Sequence, residues 1–292
     1  MSTSDQPLIV ALGDLIGDVV VELESQYRPG TDTQATITRR RGGSAANVAA
    51  AAAAAGARGR FVGRVGADSL GDELLAELDR FGVEAVVERG GLTGSVVSIV
   101  HLDGERSLLT DRGSAGDLAA LPPGALEGAS ALHVPLYALA VEPLASLVGQ
   151  AIETAVSLGV LASVDASSVP VVEEFGAIDL VDWCVQRGVS VLFCNDDEYL
   201  ALDGAADGRG DMVVVHKRGP HPAVVHIDGG RVEVPATAVA DVVDSTGAGD
   251  AFAAGTLASV CSGADWVQAV ARGHQLAAKA VSRTGALRGV EP

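Results

Sequence analysis

The chain has 292 residues, of which 48% are hydrophobic and 20% are charged, as in an ordinary globular protein. Its formal net charge of -18 would repel a nucleic-acid backbone, so nucleic acid is excluded as a partner. The sequence shows no secretory signal, and no uncharged apolar stretch reaches the roughly 18 residues of a membrane span. We therefore expect a cytoplasmic protein without a membrane partner, whose three cysteines, Cys184, Cys194 and Cys261, are free thiols.

Short apolar runs alternate with helical patterns through most of the chain. The runs predicted as buried strands are residues 8–12, 60–63, 131–134, 160–164, 189–193 and 212–215. Apolar residues at helical spacing predict amphipathic helices near residues 70–81, where Ser69 and Asp72 resemble a capping box, and near residues 144–155. This alternation predicts an α/β fold with a mostly parallel central sheet and helices on both of its faces.

Two stretches, residues 18–40 and 83–112, contain strand-like runs without helices between them. The first holds a Pro29-Gly30 turn, and the second holds Asp103-Gly104, a dipeptide typical of a β-hairpin. We expect these strands to form a small antiparallel sheet that acts as a lid on the core, within one domain of residues 1–292. The exposed strand edges of such a lid also favour a homodimer formed through it.

The residues from Asp244 to Asp250 read Asp-Ser-Thr-Gly-Ala-Gly-Asp and lead into an apolar helical run. The backbone N–H groups of Gly247, Ala248 and Gly249 would then point out of a helix N-terminus, where an anion is favoured. A phosphoryl group in transfer needs such donors. Asp250 lies in the first helical turn, placed to accept a proton from an attacking hydroxyl. The alternative is a structural turn in which Asp250 only caps the helix.

The same segment, continued to Phe252, resembles the C-terminal signature of the ribokinase-like (PfkB-type) carbohydrate kinase family, except that Ser245 stands where the family usually has Thr. Residues 41–49, Arg-Gly-Gly-Ser-Ala-Ala-Asn-Val-Ala, resemble its diglycine signature, and residues 63–71 match a third family stretch. The resemblance spans essentially the whole chain and implies a ribokinase-like three-layer sandwich with a small β-sheet lid. It also implies an ATP-dependent kinase that phosphorylates a hydroxymethyl group of a sugar of ribose, fructose or sugar-acid type. A nucleoside is the alternative acceptor.

The resemblance also implies roles for individual residues. Asp250 would be the general base, and the amides of Gly247, Ala248 and Gly249 would form the anion hole. The residues implied in sugar binding are Asp18, Gly42, Gly43, Asn47 and Arg112. The residues implied in nucleotide binding are Asn195, Lys217, Gly219, Gly247, Gly249 and His274. The residues implied in cation binding are Asn195 and Glu198, for Mg²⁺ held through water, and Asp244, near the family's site for a monovalent cation such as K⁺.

Several residues keep two interpretations. Asp14 competes with Asp18 for the substrate hydroxyls, and Arg112 either contacts the substrate or pairs with an acidic neighbour. The three arginines before the diglycine are expected at a solvated strand end. Asp165, which follows a predicted strand, is expected to support the site from behind.

Other classes of function fit the sequence less well. Neither Lys217 nor Lys279 follows a glycine, which excludes a classical P-loop NTPase. A sugar- or nucleotide-binding regulator that has lost turnover is the alternative from a non-enzyme class. The retention of Asp250 together with the complete glycine turn argues against that regulator.

Overall fold

The computed structural model describes residues 6–209 and 211–282, so both ends of the predicted domain lie outside the described residues. In chain order the strands are β1 (Leu8–Leu12), β2 (Ile16–Leu23), β3 (Ala35–Gly42), β4 (Arg58–Val65), β5 (Glu84–Arg89), β6 (Thr93–Val100), β7 (Arg106–Gly113), β8 (Ala131–Pro135), β9 (Leu161–Asp165), β10 (Val191–Cys194), β11 (Val213–His216), β12 (Ala223–Ile227) and β13 (Gly230–Val234). The helices are α1 (Ser44–Ala54), α2 (Ser69–Arg80), α3 (Leu144–Ser157), α4 (Val169–Phe175), α5 (Ala177–Gln186), α6 (Asp196–Ala201), α7 (Ala248–Cys261) and α8 (Trp266–Val281). Within the described ranges, no helix has the length and apolar character needed to cross a membrane.

The central sheet contains nine strands in the order β13-β12-β11-β10-β9-β8-β1-β4-β5. Pairing is parallel from β5 through to β11, and β12 and β13 add an antiparallel edge. All six runs predicted as buried strands overlap strands of this sheet, and β1 has the predicted bounds. The predicted α/β fold is confirmed.

Helices cover both faces of the sheet, which gives three layers. On one face, α1, α2, α7 and α8 form a core in which alanine is the commonest residue. On the other face, the apolar stripe predicted for residues 144–155 is buried, and α3 shares its core with α5. Because alanine side chains are small, α1 and α7 pack closely enough for their first turns to be joined by hydrogen bonds from Ser44 and Asn47 to Asp250.

The strands expected in the lid form a second sheet of four strands in the order β3-β2-β6-β7, which we call the lid, and its action as a lid stays a prediction. The predicted hairpin at Asp103-Gly104 joins β6 to β7, and Gly104 has a φ of 86°, which glycine adopts readily. Because β2 pairs with β6 in parallel, the lid is a mixed sheet and the expectation of an antiparallel one is wrong.

Strand β5 was expected in the lid, but it pairs with β4 at the edge of the central sheet. The intervening helix α2 provides the crossover connection that a parallel neighbour requires, and this connection separates β5 from the lid strands. The lid is therefore built from residues 16–42 and 93–113. That both sheets belong to one domain stays a prediction.

The start of α2 differs by one residue from the expected capping box. Asp68 is the N-cap, and its carboxylate accepts a hydrogen bond from Gly71 N at 2.8 Å. The same carboxylate accepts from Thr93 N at 2.7 Å and from the Thr93 hydroxyl at 2.6 Å, at the start of β6. Asp68 therefore caps the helix and also connects it to the lid.

Candidate active site

The candidate site lies at the carboxyl edge of the central sheet, beside the N-terminus of α7. Asp165 ends β9, Asn195 follows β10 and Lys217 follows β11. Neighbouring parallel strands end at the same edge, so these polar residues come together where an open α/β sheet usually binds its ligand. Asp250, in the first turn of α7, is close enough for the charges of Asp165 and Lys217 to affect its pKa.

Asp250 is held by two neutral hydrogen-bond donors at the start of α1. The Ser44 hydroxyl donates to Oδ1 at 2.6 Å, and Asn47 Nδ2 donates to Oδ2 at 2.9 Å. Burial raises the pKa of the Asp250 carboxyl above its usual range, and these two hydrogen bonds act against that rise. A desolvated carboxylate in a fixed orientation is what a general base requires.

The predicted phosphate turn precedes α7. Gly247 is the N-cap in the left-handed conformation, with φ 77° and ψ 4°, so a glycine suits this position. The helix starts at Ala248, and the N–H groups of its first turn lack partners inside the helix. The Ala248 N–H already donates to the Ser245 carbonyl at 3.2 Å, so an anion would compete with that long hydrogen bond. The N–H of Gly249 lies in the same first turn.

The diglycine lies where β3 passes into α1. Gly43 has a φ of 97°, and a Cβ built there would lie 2.1 Å from the carbonyl oxygen of Asp14. A Cβ on Gly42 would lie 3.2 Å from the Cβ of Asp18. The two glycines therefore allow the start of α1 to approach both candidate acidic residues of the sugar site, Asp14 in the turn after β1 and Asp18 in β2.

Two of the three arginines before the diglycine are not solvated, so that expectation is wrong for them. Arg41 is 5% exposed and lies 3.5 Å from Glu77 of α2. Arg40 Nη1 lies 2.6 Å from Asp244 Oδ2, and Arg39 is exposed. Strand β3 leads directly into the site, so its last side chains are covered by α2 and by the segment before α7. The Arg40–Asp244 pair connects the lid to the phosphate turn.

Arg112 pairs with an acidic neighbour, which is one of its two expected interpretations. Its Nη1 lies 2.5 Å from Asp14 Oδ2, and its guanidinium lies 5.5 Å from the centre of the Tyr137 ring. Burial raises the pKa of Asp14, and the charge of Arg112 opposes that rise. Asp18 lines a cavity under the lid. Substrate contacts of Asp18 and Arg112 stay predictions.

Asn195 and Glu198 form the capping box of α6. Asn195 Oδ1 accepts from Glu198 N at 2.9 Å, while the Glu198 carboxylate accepts from Asn195 N and Nδ2, each at 2.8 Å. Burial and the charge of Asp165 raise the pKa of Glu198 to about 7. A divalent cation beside Glu198 would favour the ionised form of its carboxyl.

The donor set therefore fits Mg²⁺ held indirectly. Among residues 6–209 and 211–282, no group of three or more histidine, cysteine or acidic side chains is arranged to hold a metal ion. An ion at Asn195 and Glu198 would need most of its ligands from the nucleotide and from water, which is the usual coordination of Mg²⁺.

Lys217 reaches inward from the loop after β11. Its Nζ lies 2.5 Å from Asp165 Oδ2 and 3.4 Å from the position that a Cβ would take on Gly249. Gly219, in the same loop, has a φ of 53° with open space around its Cα. The structure thus brings Lys217 beside the phosphate turn, and a nucleotide contact of Gly219 stays a prediction.

His274 is 6% exposed and packs between α7 and α8. Its ring centre lies 5.0 Å from that of Phe252 in an edge-on arrangement. This packing does not test the predicted contact with the nucleotide, which stays a prediction.

His133, on β8, is a buried group whose neutral form stabilises the fold. It is fully buried, and its Nδ1 lies 2.9 Å from the Ser163 hydroxyl. Burial lowers the pKa of His133 to about 4, with opposing effects from Asp165, which raises it, and Lys217, which lowers it. The unfolded imidazole binds a proton near pH 6.5. The free energy of unfolding therefore falls as the pH drops from about 6.5 to about 4, by about 3 kcal/mol from this residue.

Replacement of His133 by Gln should reduce this acid sensitivity, because Gln keeps a polar partner for Ser163 but does not titrate. Between about pH 7.5 and about pH 4.5, we expect the variant to lose about 2 kcal/mol less unfolding free energy than the native chain. Urea unfolding at the two pH values measures this difference. Equal losses in the two proteins would show that His133 does not titrate as proposed.

Sequence reasoning missed three residues of this arrangement: Ser44, Arg40 and Arg41. Ser44 holds Asp250, Arg41 donates to Asn47 Oδ1 at 2.8 Å, and Arg40 binds the segment before the phosphate turn. The available signal was their position, since Arg41 and Ser44 directly flank the diglycine and Arg40 precedes Arg41. Asp165 contacts Lys217 at 2.5 Å, and its supporting role stays a prediction.

Comparisons with known proteins find relatives along the whole chain. A family model described as pfkB family carbohydrate kinase matches residues 6–291. The ATP-dependent ribose-1-phosphate kinase of Halopiger xanaduensis is 31% identical over 293 residues, which cover 95% of this chain and 93% of that protein. A protein of Arabidopsis thaliana named probable fructokinase-4 is 28% identical over 280 residues, which cover 89% of this chain and 84% of that protein. The adenosine kinase structure from Sinorhizobium meliloti has the same fold, with a TM-score of 0.84 at 23% identity over 98% of this chain and 96% of that one.

Proposed function

Because the chain belongs to the pfkB family of carbohydrate kinases, we propose that it transfers the γ-phosphoryl group of ATP to a hydroxymethyl oxygen of a sugar, with Asp250 as the general base. Its family and relatives make it a phosphotransferase that acts on an alcohol group. The observation that supports Asp250 is its position: Ser44 and Asn47 orient its partly buried carboxylate in the same helical turn as the N–H of Gly249.

In the proposed mechanism, the acceptor hydroxyl gives its proton to Asp250 as its oxygen attacks the γ-phosphorus. Ser44 and Asn47 keep the carboxylate aimed at that hydroxyl. The N–H groups and dipole of α7 stabilise the negative charge on the transferred group. Asp18 and the backbone beside Gly43 bind the acceptor, and closure of the lid excludes water, which would otherwise compete as acceptor.

Asn195 and Glu198 are proposed to hold Mg²⁺ through water. When bound, this ion would neutralise charge on the phosphates. K⁺ is proposed as an activator near Asp244. The Asp244 carboxylate already binds Arg40 at 2.6 Å and accepts from Thr246 N at 2.9 Å, so a cation would have to share it. Equal turnover in potassium and tetramethylammonium salts would rule this activation out.

The lining of the cavity under the lid supports a neutral acceptor. This cavity, of about 350 Å³, lies between the inner face of the lid and the segment before α7. Asp18, Glu22 and Asp244 line it, and Arg40, the cation among its described lining residues, is paired with Asp244. An added phosphate or carboxylate on the sugar would be repelled by these carboxylates.

The direct test is ADP release from ATP across a panel of acceptors: ribose, fructose, 2-keto-3-deoxygluconate, ribose 1-phosphate and nucleosides. We expect the neutral acceptors to have the higher kcat/KM. A higher value for the sugar phosphate would overturn the neutral-acceptor proposal and leave the kinase assignment intact. Failure with every acceptor would argue against the proposed function itself.

A nucleoside is the second candidate acceptor, because much of the same cavity is apolar. Its apolar lining residues are Val20, Val96, Val100, Leu108 and Val243. These side chains cannot hydrogen-bond sugar hydroxyls, but they suit the face of a planar base attached to the sugar. The volume of about 350 Å³ also falls in the usual range of small-molecule sites.

Leu108 and Leu109 provide a matched test of this second candidate. They are 62% and 60% exposed and neighbours on β7, but Leu108 lines the cavity and Leu109 points to the opposite face. We expect Leu108→Ser to raise the KM for a nucleoside about tenfold and to leave the KM for ribose unchanged. Leu109→Ser should change neither value. An equal rise in the KM for ribose and for the nucleoside in Leu108→Ser would argue against a contact between Leu108 and the base of the nucleoside.

The proposed homodimer is supported by the outer face of the lid. Ile37 and Leu109, 58% and 60% exposed, share that face with Val19, Val21 and Val97 across β3, β2, β6 and β7. A solvated sheet face of this composition suits a second copy of the chain. A single-chain mass in sedimentation would exclude the dimer.

The proposed cytoplasmic location is supported by the free thiols of Cys184, Cys194 and Cys261. These thiols suit a reducing compartment. A disulfide found between any of these cysteines in the protein isolated from its cells would contradict it.

A further inference from the structure

We infer that Lys217 contacts the phosphoryl group in transfer and that Asp165 is the residue that positions it. This inference rests on the proposed function and adds two roles to it. The family resemblance implies only nucleotide binding for Lys217. The positions of Lys217, Asp165 and the phosphate turn give Lys217 a more specific task.

The Lys217 ammonium lies beside the residues that handle the transferred group. Its Nζ is 3.4 Å from the point where a Cβ on Gly249 would lie, and Gly249 directly precedes Asp250. Burial raises the pKa of the partly buried Asp250 carboxyl, and the charge of Lys217 acts against that rise. The phosphorus under attack must lie next to the hydroxyl that Asp250 deprotonates, so an ammonium at this position meets the terminal phosphate.

Asp165 holds this ammonium through a fixed carboxylate. Oδ2 of Asp165 binds Lys217 Nζ at 2.5 Å, while Oδ1 accepts from Ser167 N at 3.1 Å and from the Ser167 hydroxyl at 3.2 Å. Ser167 has a φ of 48°, an uncommon conformation for a non-glycine residue, and Asp165 is 4% exposed. The turn at Ser167 therefore fixes one carboxylate oxygen and directs the other at the lysine.

Lys217 stays a cation in this setting. Burial lowers its pKa, but the charges of Asp165 and Glu198 and the hydrogen bond that Lys217 donates to Asp165 more than offset that effect, so its pKa is raised overall. During transfer the acceptor oxygen forms a bond to the γ-phosphorus, the bond from that phosphorus to the β–γ bridging oxygen breaks, and ADP leaves with the electron pair. The acceptor proton goes to Asp250. Lys217 keeps its protons and stabilises charge on the transferred group.

Binding measurements test the contact without relying on turnover. Calorimetry with Mg²⁺ compares the affinity for ADP with that for ADP plus aluminium fluoride, a mimic of the phosphoryl group in transfer. We expect Lys217→Met to bind ADP within about threefold of the native chain and to lose at least about tenfold of the added affinity for the mimic. Lys279→Met, a change of the other lysine, should alter neither. An equal loss for ADP and the mimic, or no loss for either, would overturn the inference.

Turnover of the double variant tests the positioning role. If Asp165 acts through Lys217, Asp165→Asn should lower kcat by roughly tenfold or more, but should add nothing in the Lys217→Met background. The double variant also removes both charges of the pair, and a thermal unfolding midpoint close to that of the native chain would show that it folds. A further fall in kcat on adding Asp165→Asn would show that Asp165 acts independently. If the native chain phosphorylates no acceptor, the proposed function fails, while the calorimetric comparison still decides the lysine contact.

Discussion

Replacing Asp250 by Asn is expected to lower kcat by about 10³-fold and to leave ATP affinity within a few-fold of the native value. The amide has nearly the same size and can turn its nitrogen towards the Ser44 hydroxyl and its oxygen towards Asn47. The site therefore keeps its shape, but it loses the group that takes the acceptor proton. ADP release at saturating acceptor measures kcat, and calorimetry measures ATP binding.

Asp265→Asn is the matched control for this change. Asp265 is the N-cap of α8 and accepts from Gln268 N at 2.8 Å, and Asn caps helices equally well, so kcat should not change.

Because burial raises the pKa of Asp250, turnover of the native chain should fall on the acid side at a higher pH than it would with a free aspartate as base. Normal turnover in Asp250→Asn would show that another group is the base.

Gly43→Ala is expected to destabilise the protein by about 3 kcal/mol or more and to raise the KM for the acceptor. The new Cβ would lie 2.1 Å from the Asp14 carbonyl oxygen, an impossible contact with backbone, and the φ of 97° disfavours any side chain. Relief of the overlap must move α1 away from Asp14 and from Asp18 at the start of β2. Urea unfolding and acceptor kinetics measure the two effects.

Gly56→Ala is the control that separates the cost of the steric overlap from the cost of placing a side chain at a positive φ. Gly56 lies just past the other end of α1 with a similar φ of 84°, and a Cβ there would meet nothing within 4 Å. The free energy of unfolding of this control should fall by only about 1 kcal/mol, because only the backbone conformation is unfavourable there. Similar losses in the two variants would mean that the approach of Gly43 to Asp14 is not a close one.

Local patterns predicted most of the fold and the phosphate turn. Periodicity was enough for β1 and for the stripe of α3, because burial on one face imposes spacing that is visible in the sequence. The motif around Gly247 and Asp250 predicted a turn into a helix, because glycines followed by an apolar helical run indicate such a turn from neighbouring residues alone. The partner of β5 could not be predicted this way, because strand pairing depends on the path of the chain through α2.

The contacts inside the site were less accessible to sequence reasoning. The hydrogen bond from Ser44 to Asp250 joins residues 206 positions apart, and no local spacing reports it. Arg40 and Arg41 look like solvated charges in a polar run. Their burial follows from the fact that β3 ends under neighbouring elements, which is a tertiary effect. The family resemblance supplied roles for single residues, but not the pairs in which they act.

The alanine-rich contact between α1 and α7 limits which substitutions the chain can accept at positions away from the reacting groups. Ser44 and Asn47 stand on one helix and Asp250 on the other, so the thickness of the methyl layer between them sets the lengths of two catalytic hydrogen bonds. A bulkier side chain anywhere along this layer would act as a wedge. We expect these alanines to tolerate few substitutions by larger residues, although they are not among the residues proposed to bind substrate.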